Sequence, residues 1–541
     1  MLKKLIVVKW GILMVGAMGI LMIGAFFPMA QEYGGTMVEA LGTEPTTLDI
    51  SYALRRPEAA VLNLIHEPLF IFNKDLKPEP LLVETWNVSQ DYLTWTFTLK
   101  KGITFHDGTP LDAEAVKFSL ERHMEGVHSW RLGPLDKVEV VDQYTVRLKY
   151  KEPYPLLLNH LANYWLGMIS PKAVEKYGED YGVKAVVGTG PFKFKEWISG
   201  DRIILEKNED YKHGPTFAYN KGPAYVNSWI FRFILEPATL IAELTVGDVD
   251  ISTYIPEEAV GEVRDHPNTD IVAKKAPSSI HIAINTKNPP FDDVRVRRAV
   301  AHAINKEAVI KAALFGVGEP LYTLVPANVL GYWEGAKELG YQYTHFNPEK
   351  AKELLEEAGW VDVDGDGIRE KDDKELEVVF FAFTIVRYKL IAEVVQPMLE
   401  AVGFKVKILV LEAGDLYERV IRGEHHLLST AWMGITFVQD VLVPTLHSKN
   451  IGTAGWWFHY SNPVLDKLLD DSMALLDSQA RQQALNEAQR IVIEEAVCAP
   501  IAYPMDLFGH KKIVGGVNRW MEHPWAFQVA ALRGLELYKT E

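Results

Sequence analysis

The sequence predicts an α/β protein divided into two or three lobes, and three observations carry that expectation. The chain has 541 residues, more than one hydrophobic core organises, because single cores stop growing beyond about 250–300 residues. Short stretches of period-two alternation are interleaved with helical patterns along nearly the whole length, which is the pattern of α/β lobes. Neither an internal repeat nor a low-complexity tract interrupts them, and the 48% apolar and 24% charged content is that of an ordinary globular chain.

Along the chain, residues 36–40 read as a strand, broken by Glu44-Pro45-Thr46-Thr47. Residues 58–65 read as a helix with Ala59, Leu62 and Ile65 on one face, ended by Pro68. The block 69–122 behaves as one unit: a turn, an amphipathic helix, a hairpin and a capped helix. Within it residues 94–99 alternate as a half-buried strand, and His106-Asp107-Gly108 supplies a turn in which Gly tolerates positive φ. Asp112 caps the helix that follows by accepting from first-turn amides.

Residues 138–148 are strand-like and 154–162 helical. Gly188-Thr189-Gly190-Pro191-Phe192 breaks the chain before strands at 192–197 and 202–207, a hairpin turning at Ser199-Gly200-Asp201. A helix at 237–245 and strands at 249–253 and 281–285 lead to a helix over 291–304. In that helix Val294, Val296, Ala299 and Val300 are expected to pack, while Arg295, Arg297 and Arg298 stay wet. Beyond it, helices at 348–358 and 390–401 alternate with strands at 376–381 and 405–411.

The net charge of -16 disfavours a nucleic-acid reader, which needs a concentrated basic face. Lys3, Lys4 and Lys9 precede an apolar run over residues 10–27, so residues 1–30 read as a secretory signal peptide or a retained N-terminal anchor. The basic flank favours leaving that end in the cytoplasm and exporting the rest. Cys498 is the single cysteine, which excludes an intrachain disulfide and a lipid-bearing thiol near the leader. Its apolar surroundings suit a buried, inert thiol.

Several blocks after residue 35 occur in the order found in one family. After the segment 69–122 come Gly188-Thr189-Gly190-Pro191-Phe192, Asn208-Glu209-Asp210-Tyr211, Gly247-Asp248-Val249-Asp250 and Ile284-Asn285-Thr286. Phe291-Asp292-Asp293-Val294-Arg295, Asn347-Pro348-Glu349-Lys350-Ala351, Ala358-Gly359-Trp360 and Tyr460-Ser461-Asn462-Pro463 follow. Each block is weak alone, but their common order resembles the peptide/nickel family of extracytoplasmic solute-binding proteins, the capture subunits of ABC importers.

The resemblance implies a periplasmic-binding-protein-like α/β fold of the cluster C type, with two large lobes, a hinge and an inserted third subdomain. Residues 36–75, 191–285 and 505–541 would form a discontinuous first lobe, 76–190 the inserted subdomain, and 286–504 the second lobe. It implies a monomer without a cofactor or catalytic activity, which captures a solute in the cleft outside the membrane and hands it to permease and ATPase subunits. Membrane association would come through the transporter or through an uncleaved N-terminal helix.

Candidate site residues are mainly aromatic. Trp130, Trp165, Trp432 and Trp456 belong to clusters of large rings, which line binding clefts because they bury much area with few rotatable bonds. Core packing is the competing reading for each. Trp130 and Trp432 match ligand-contacting positions in the family. Peptide binders of the family place an aspartate shortly after the cleft tryptophan to pair with the ligand ammonium. Here the matching position is Ile435, which cannot accept a hydrogen bond, and the next carboxylate is Asp440. Nickel-chelate binders use arginines where this chain has Val127 and Gly167. A cleft rich in aromatic faces and poor in fixed charge is therefore expected. Peptide leads as ligand, with oligosaccharide and then nickel chelate as alternatives.

Asp362, Asp364, Asp366 and Gly367 match the opening of a calcium loop, with Glu370 and Asp373 at later ligand places. The residues that follow read as a strand where such a loop would continue into a helix, so a structural turn is preferred there to a metal site. His425 and His426, adjacent in a strand, point to opposite faces and do not share a metal. Neither a nucleophile elbow nor a phosphate-binding glycine loop is present in the sequence. A secreted hydrolase stays open as the alternative class, since carboxylates are too numerous for residue types alone to exclude an acid/base pair.

Overall fold

The computed structural model describes residues 34–453, 457–524 and 531–540. The leader and Trp456 lie outside the described residues. Among the described residues no helix is long and apolar enough to cross a membrane.

Two large sheets organise the chain. A seven-stranded mixed sheet has the spatial order Thr269–Lys275, Met505–Lys511, Ile251–Ser252, Thr36–Leu41, Ser228–Phe233, Arg202–Lys207, Phe192–Ile198. Its central strand Thr36–Leu41 runs parallel to both of its neighbours, whereas Phe192–Ile198 and Arg202–Lys207 form the expected antiparallel hairpin. A six-stranded sheet has the order Glu319–Pro320, Cys498–Tyr503, Ser279–Ile284, Leu427–Trp432, Glu377–Phe383, Lys405–Leu411. A smaller antiparallel sheet joins Val83–Val88, Thr94–Leu99, Thr145–Tyr150 and Leu135–Asp142.

The hydrophobic core follows this division unevenly. One cluster runs without interruption from Met37 and Trp229 of the first large sheet to Phe97 and Leu148 of the small one. The second large sheet carries its own clusters, around Ile282 and Phe380 on one face and around Leu428 and Val441 on the other. The inserted subdomain thus shares a core with the first lobe.

The strand Ser279–Ile284 belongs to the second large sheet, so the first lobe ends before it and not at residue 285. Pro277 explains the early crossing, since it lacks an amide and cannot continue a strand ladder. The chain crosses between the sheets at Ala276-Pro277-Ser278 and returns at Pro504, and the two crossings are bonded, Ala276 N–H donating to the Pro504 carbonyl at 3.0 Å.

Two local expectations are corrected. No amphipathic helix forms between residues 69 and 112: Phe70–Phe72, Pro78–Pro80 and Val83–Val88 are strands, because Pro78 and Pro80 deprive a helix of amides. Asp112 does cap Ala113–Glu125, accepting from Ala115 N–H at 3.0 Å. In the helix Val294–Ala303, Arg297 is only 4% exposed and not wet. Its guanidinium donates to the carbonyls of Phe291 and Glu495 and pairs with the Glu495 carboxylate at 2.8 Å.

Candidate functional site: a cavity between the lobes

A cavity of about 410 Å³ is lined by all three parts of the molecule. The first lobe contributes the helix Arg56–Leu62 and Asp506, the inserted subdomain Trp130 and Arg131, and the second lobe Trp432 and Asp440. The crossing residues Pro277 and Ser278 also line it, so the space lies beside the line about which the lobes would turn.

Trp130 and Arg131 stand on the short 3-10 turn Ser129–Leu132. Gly133 closes this turn at φ 60 with Tyr154 packed so tightly that an added Cβ would sit 2.6 Å from its ring; only glycine combines that φ with that contact. The Tyr154 hydroxyl donates to the Arg131 carbonyl at 3.1 Å. Trp130 is 46% exposed, and the Arg131 guanidinium lies 4.2 Å from its ring centroid, within cation–π reach.

Trp432 ends the strand Leu427–Trp432 and meets Trp457 edge to face at 5.2 Å. Gly434 then turns the chain at φ 68, its amide donating to Ser278 Oγ at 3.0 Å, and Ile435 N–H donates to the Pro277 carbonyl at 2.7 Å. Asp440 sits in the first turn of Val438–Leu446, where a carboxylate favours the helix dipole. Its Oδ2 accepts from the amides of Thr436 and Phe437, each at 2.9 Å. Burial pushes the Asp440 carboxyl upward from its ordinary range against the opposing pull of Arg131 and these amides. The same burial lowers Arg131 despite the carboxylate nearby.

Of the residues expected from sequence, Trp130, Trp165, Trp432 and Asp440 line the cavity. Trp165 is almost fully buried and stacks on His128 with centroids 4.6 Å apart, so it forms wall more than contact surface. Ile435 is fully buried in the second lobe's core and does not line the cavity; Asp440 is the carboxylate that reaches it. Asp362, Asp364, Asp366 and Glu370 gather in an exposed loop elsewhere, with carboxylate oxygens within 4.8 Å of one another. All four accept backbone amides of that loop, as in Gly365 N–H to Asp362 and Val363 N–H to Glu370. A short hairpin, Glu370–Lys371 with Lys374–Glu375, follows where a calcium loop would continue into a helix.

The expectation of a cleft poor in fixed charge is overturned. Arg56, Arg131 and Arg533 line the cavity together with Asp440 and Asp506. Arg56 pairs with Asp506 at 3.1 Å, and Arg533 with the buried Glu39 at 2.6 Å. Arg56, Arg533 and Asp506 lie far apart in the sequence, which is why residue-by-residue reading missed them; of the three arginines only Arg131, next to Trp130, carried a local signal.

The family model described as bacterial extracellular solute-binding proteins, family 5 Middle, matches residues 77–453. The glutathione-binding protein GsiB of Salmonella paratyphi A is 30% identical over 528 residues, covering 94% of this chain and 96% of that protein. The oligopeptide-binding protein AppA of Bacillus subtilis, solved with a nonapeptide, has TM-score 0.77 and 25% identity, covering 94% of this chain and 100% of the other. The periplasmic binding protein DppA of Helicobacter pylori, solved with the peptide STSA, has TM-score 0.76 and 26% identity, covering 94% and 99%. With a family match over more than half its length and a two-lobed α/β architecture around an interlobe cavity, this chain belongs to the bacterial extracellular solute-binding proteins of family 5.

Proposed function

We propose that this protein captures a short peptide outside the membrane and delivers it to the permease of an ABC importer. The observation that carries the reading is the interlobe cavity, where the exposed Trp130 and the partly buried Trp432 stand beside fixed charges of both signs. A peptide offers groups for each: apolar side chains for the indoles, and ammonium and carboxylate ends for the charges. A volume of about 410 Å³ is that of a small-ligand pocket, which typically spans roughly 300–1,000 Å³. Relatives whose names state glutathione or peptide binding support the same class. The arginines and aspartates favour a charged ligand over a neutral oligosaccharide.

In this reading the work is enclosure. Ligand binds to one lobe, the second swings onto it about the two crossings, and the closed form is what the permease receives. The chain acts as an exported monomer with no bond-making step, held at the membrane by its transporter or by a retained leader. Native mass spectrometry of the purified full chain tests this directly. A co-purified peptide of matching mass, released intact on denaturation, is expected. A sugar or metal chelate in its place, or steady consumption of an added peptide, would sink the reading.

A further inference from the structure

Two opposite charges face each other in the cavity wall without bonding. Arg131 Nη1 stands 3.9 Å from Asp440 Oδ1, beyond the roughly 2.7–3.2 Å of an N–H···O hydrogen bond. Both residues are more than nine-tenths buried, at 8% and 5% exposure. Asp440 spends Oδ2 on the amides of Thr436 and Phe437, while its Oδ1 has no hydrogen-bond partner. Arg131 has no partner for Nε or Nη1. Buried charge is costly unless it is both paired and hydrogen-bonded. Elsewhere on the same cavity each charge has a direct protein partner, Arg56 bonding Asp506 and Arg533 bonding Glu39 and the Ala60 carbonyl, although Arg533 Nε is left over. Arg131 and Asp440, from opposite lobes, are left incomplete.

We propose that Arg131 and Asp440 are the specificity-determining pair of the cleft and take the free α-amino-acid head of a peptide, its carboxylate on Arg131 and its ammonium on Asp440. This rests on the peptide reading above. The gap is too short for a ligand atom to stand in line between the two, which needs about 5.5–6 Å for two successive hydrogen bonds. The ligand therefore lies beside both, presenting an acceptor to one and a donor to the other. An ordinary peptide N-terminus brings only the donor, and a C-terminus only the acceptor. A carbon bearing both charges brings the two together, and the guanidinium fork suits its carboxylate. Peptides that keep such a head are those joined through a side chain, such as γ-glutamyl peptides.

The test uses two isomers of one composition and charge, γ-L-glutamylglycine and α-L-glutamylglycine, titrated calorimetrically into the full chain. The γ isomer is expected to bind at least tenfold tighter. Arg131→Gln and Asp440→Asn are each expected to bring it down to the level of the α isomer, with Arg131→Lys, which keeps charge but loses the fork, in between. Asparagine keeps an oxygen for the amides of Thr436 and Phe437, and thermal unfolding monitors the fold of each variant. Equal affinity, tighter binding of the α isomer, or a preference that survives in all variants overturns the assignment while leaving the peptide reading intact. Binding of neither isomer overturns it too, and the identity of the co-purified ligand then decides separately whether the peptide reading falls with it.

Discussion

Glu257 and Arg387 join the two lobes outside the cavity lining: the guanidinium in the first turn of Val386–Glu400 donates to the carboxylate of the 3-10 turn Glu257–Ala259. Both are partly exposed and neither lines the cavity. Separation of the lobes would break the contact, so it is placed to favour the closed form, and Arg387 is also near enough to the cavity-lining Asp506 to hold its carboxyl down against burial.

Removing that contact with Glu257→Gln should favour the open form by about 0.5–1 kcal/mol, the range of a partly exposed ion pair. Small-angle scattering of the variant should show a larger radius of gyration, and affinity for the co-purified ligand should fall by roughly two- to fivefold. Unchanged scattering and affinity would show that the pair plays no part in closure.

Two tryptophans of one cavity should fail differently. Trp432→Ala should weaken ligand binding by at least about tenfold, near 1.4 kcal/mol, with cooperative unfolding retained. Trp165, buried against His128, should cost stability instead, Trp165→Ala by about 3–5 kcal/mol. Calorimetric affinity and denaturation midpoint, measured on both variants, separate the roles; a Trp432→Ala variant of unchanged affinity would remove that residue from the contact surface.

Acid should destabilise the protein before its carboxylates titrate. Burial pushes His66 and His123 down to about 4 and His106, His128 and His160 down to about 3. The unfolded chain, whose histidines titrate near about 6.5, then binds more protons than the folded one below that pH. The stability held by the neutral rings is whole above about pH 6.5 and drains away as pH falls toward 4 and 3. Unfolding temperature should therefore drop between pH 7.5 and 4.5. A level profile over that interval would mean these rings do not stay neutral in the fold.

Arg533 and Glu39 tie the C-terminal helix Ala531–Glu536 to the central strand of the first lobe, both almost wholly buried. Arg533→Met strands the Glu39 carboxylate and should cost about 3–5 kcal/mol. Adding Glu39→Leu should recover most of that loss, because a paired charge exchanged for apolar packing is often neutral. A double variant no more stable than the single one, by chemical denaturation midpoint, would contradict the account.

What the sequence disclosed was local and periodic. The Asp112 cap, the hairpin of Phe192–Ile198 with Arg202–Lys207, and the strand Lys405–Leu411 could each be read from a few neighbouring residues, because caps, turns and alternation are short-range physics. Trp130 and Trp432 came from family resemblance, and Asp440 from the next carboxylate after Ile435. Arg297 misled because its helix position looks solvated, while its partner Glu495 lies far along the chain. The arginines of the cavity escaped for the same reason: Arg56 meets Asp506, and Arg131 comes to face Asp440, only once distant segments meet. The strand Val83–Val88 was likewise settled by a partner strand and not by its own pattern.

The backbone passes from one large sheet to the other in very few residues, at Ala276-Pro277-Ser278 and at Pro504, and a single amide–carbonyl link at 3.0 Å stitches those passages side by side. Each holds a proline, whose ring fixes φ. So little slack leaves the halves unable to slide or drift apart; what remains is a swing about one axle. Travel then grows with distance from that axle, so Ser278, Gly434 and their neighbours hold station throughout. Opposed groups farther out must meet last and part first, which makes the interior the place where a guest is read and the outer edge the place where its stay is timed.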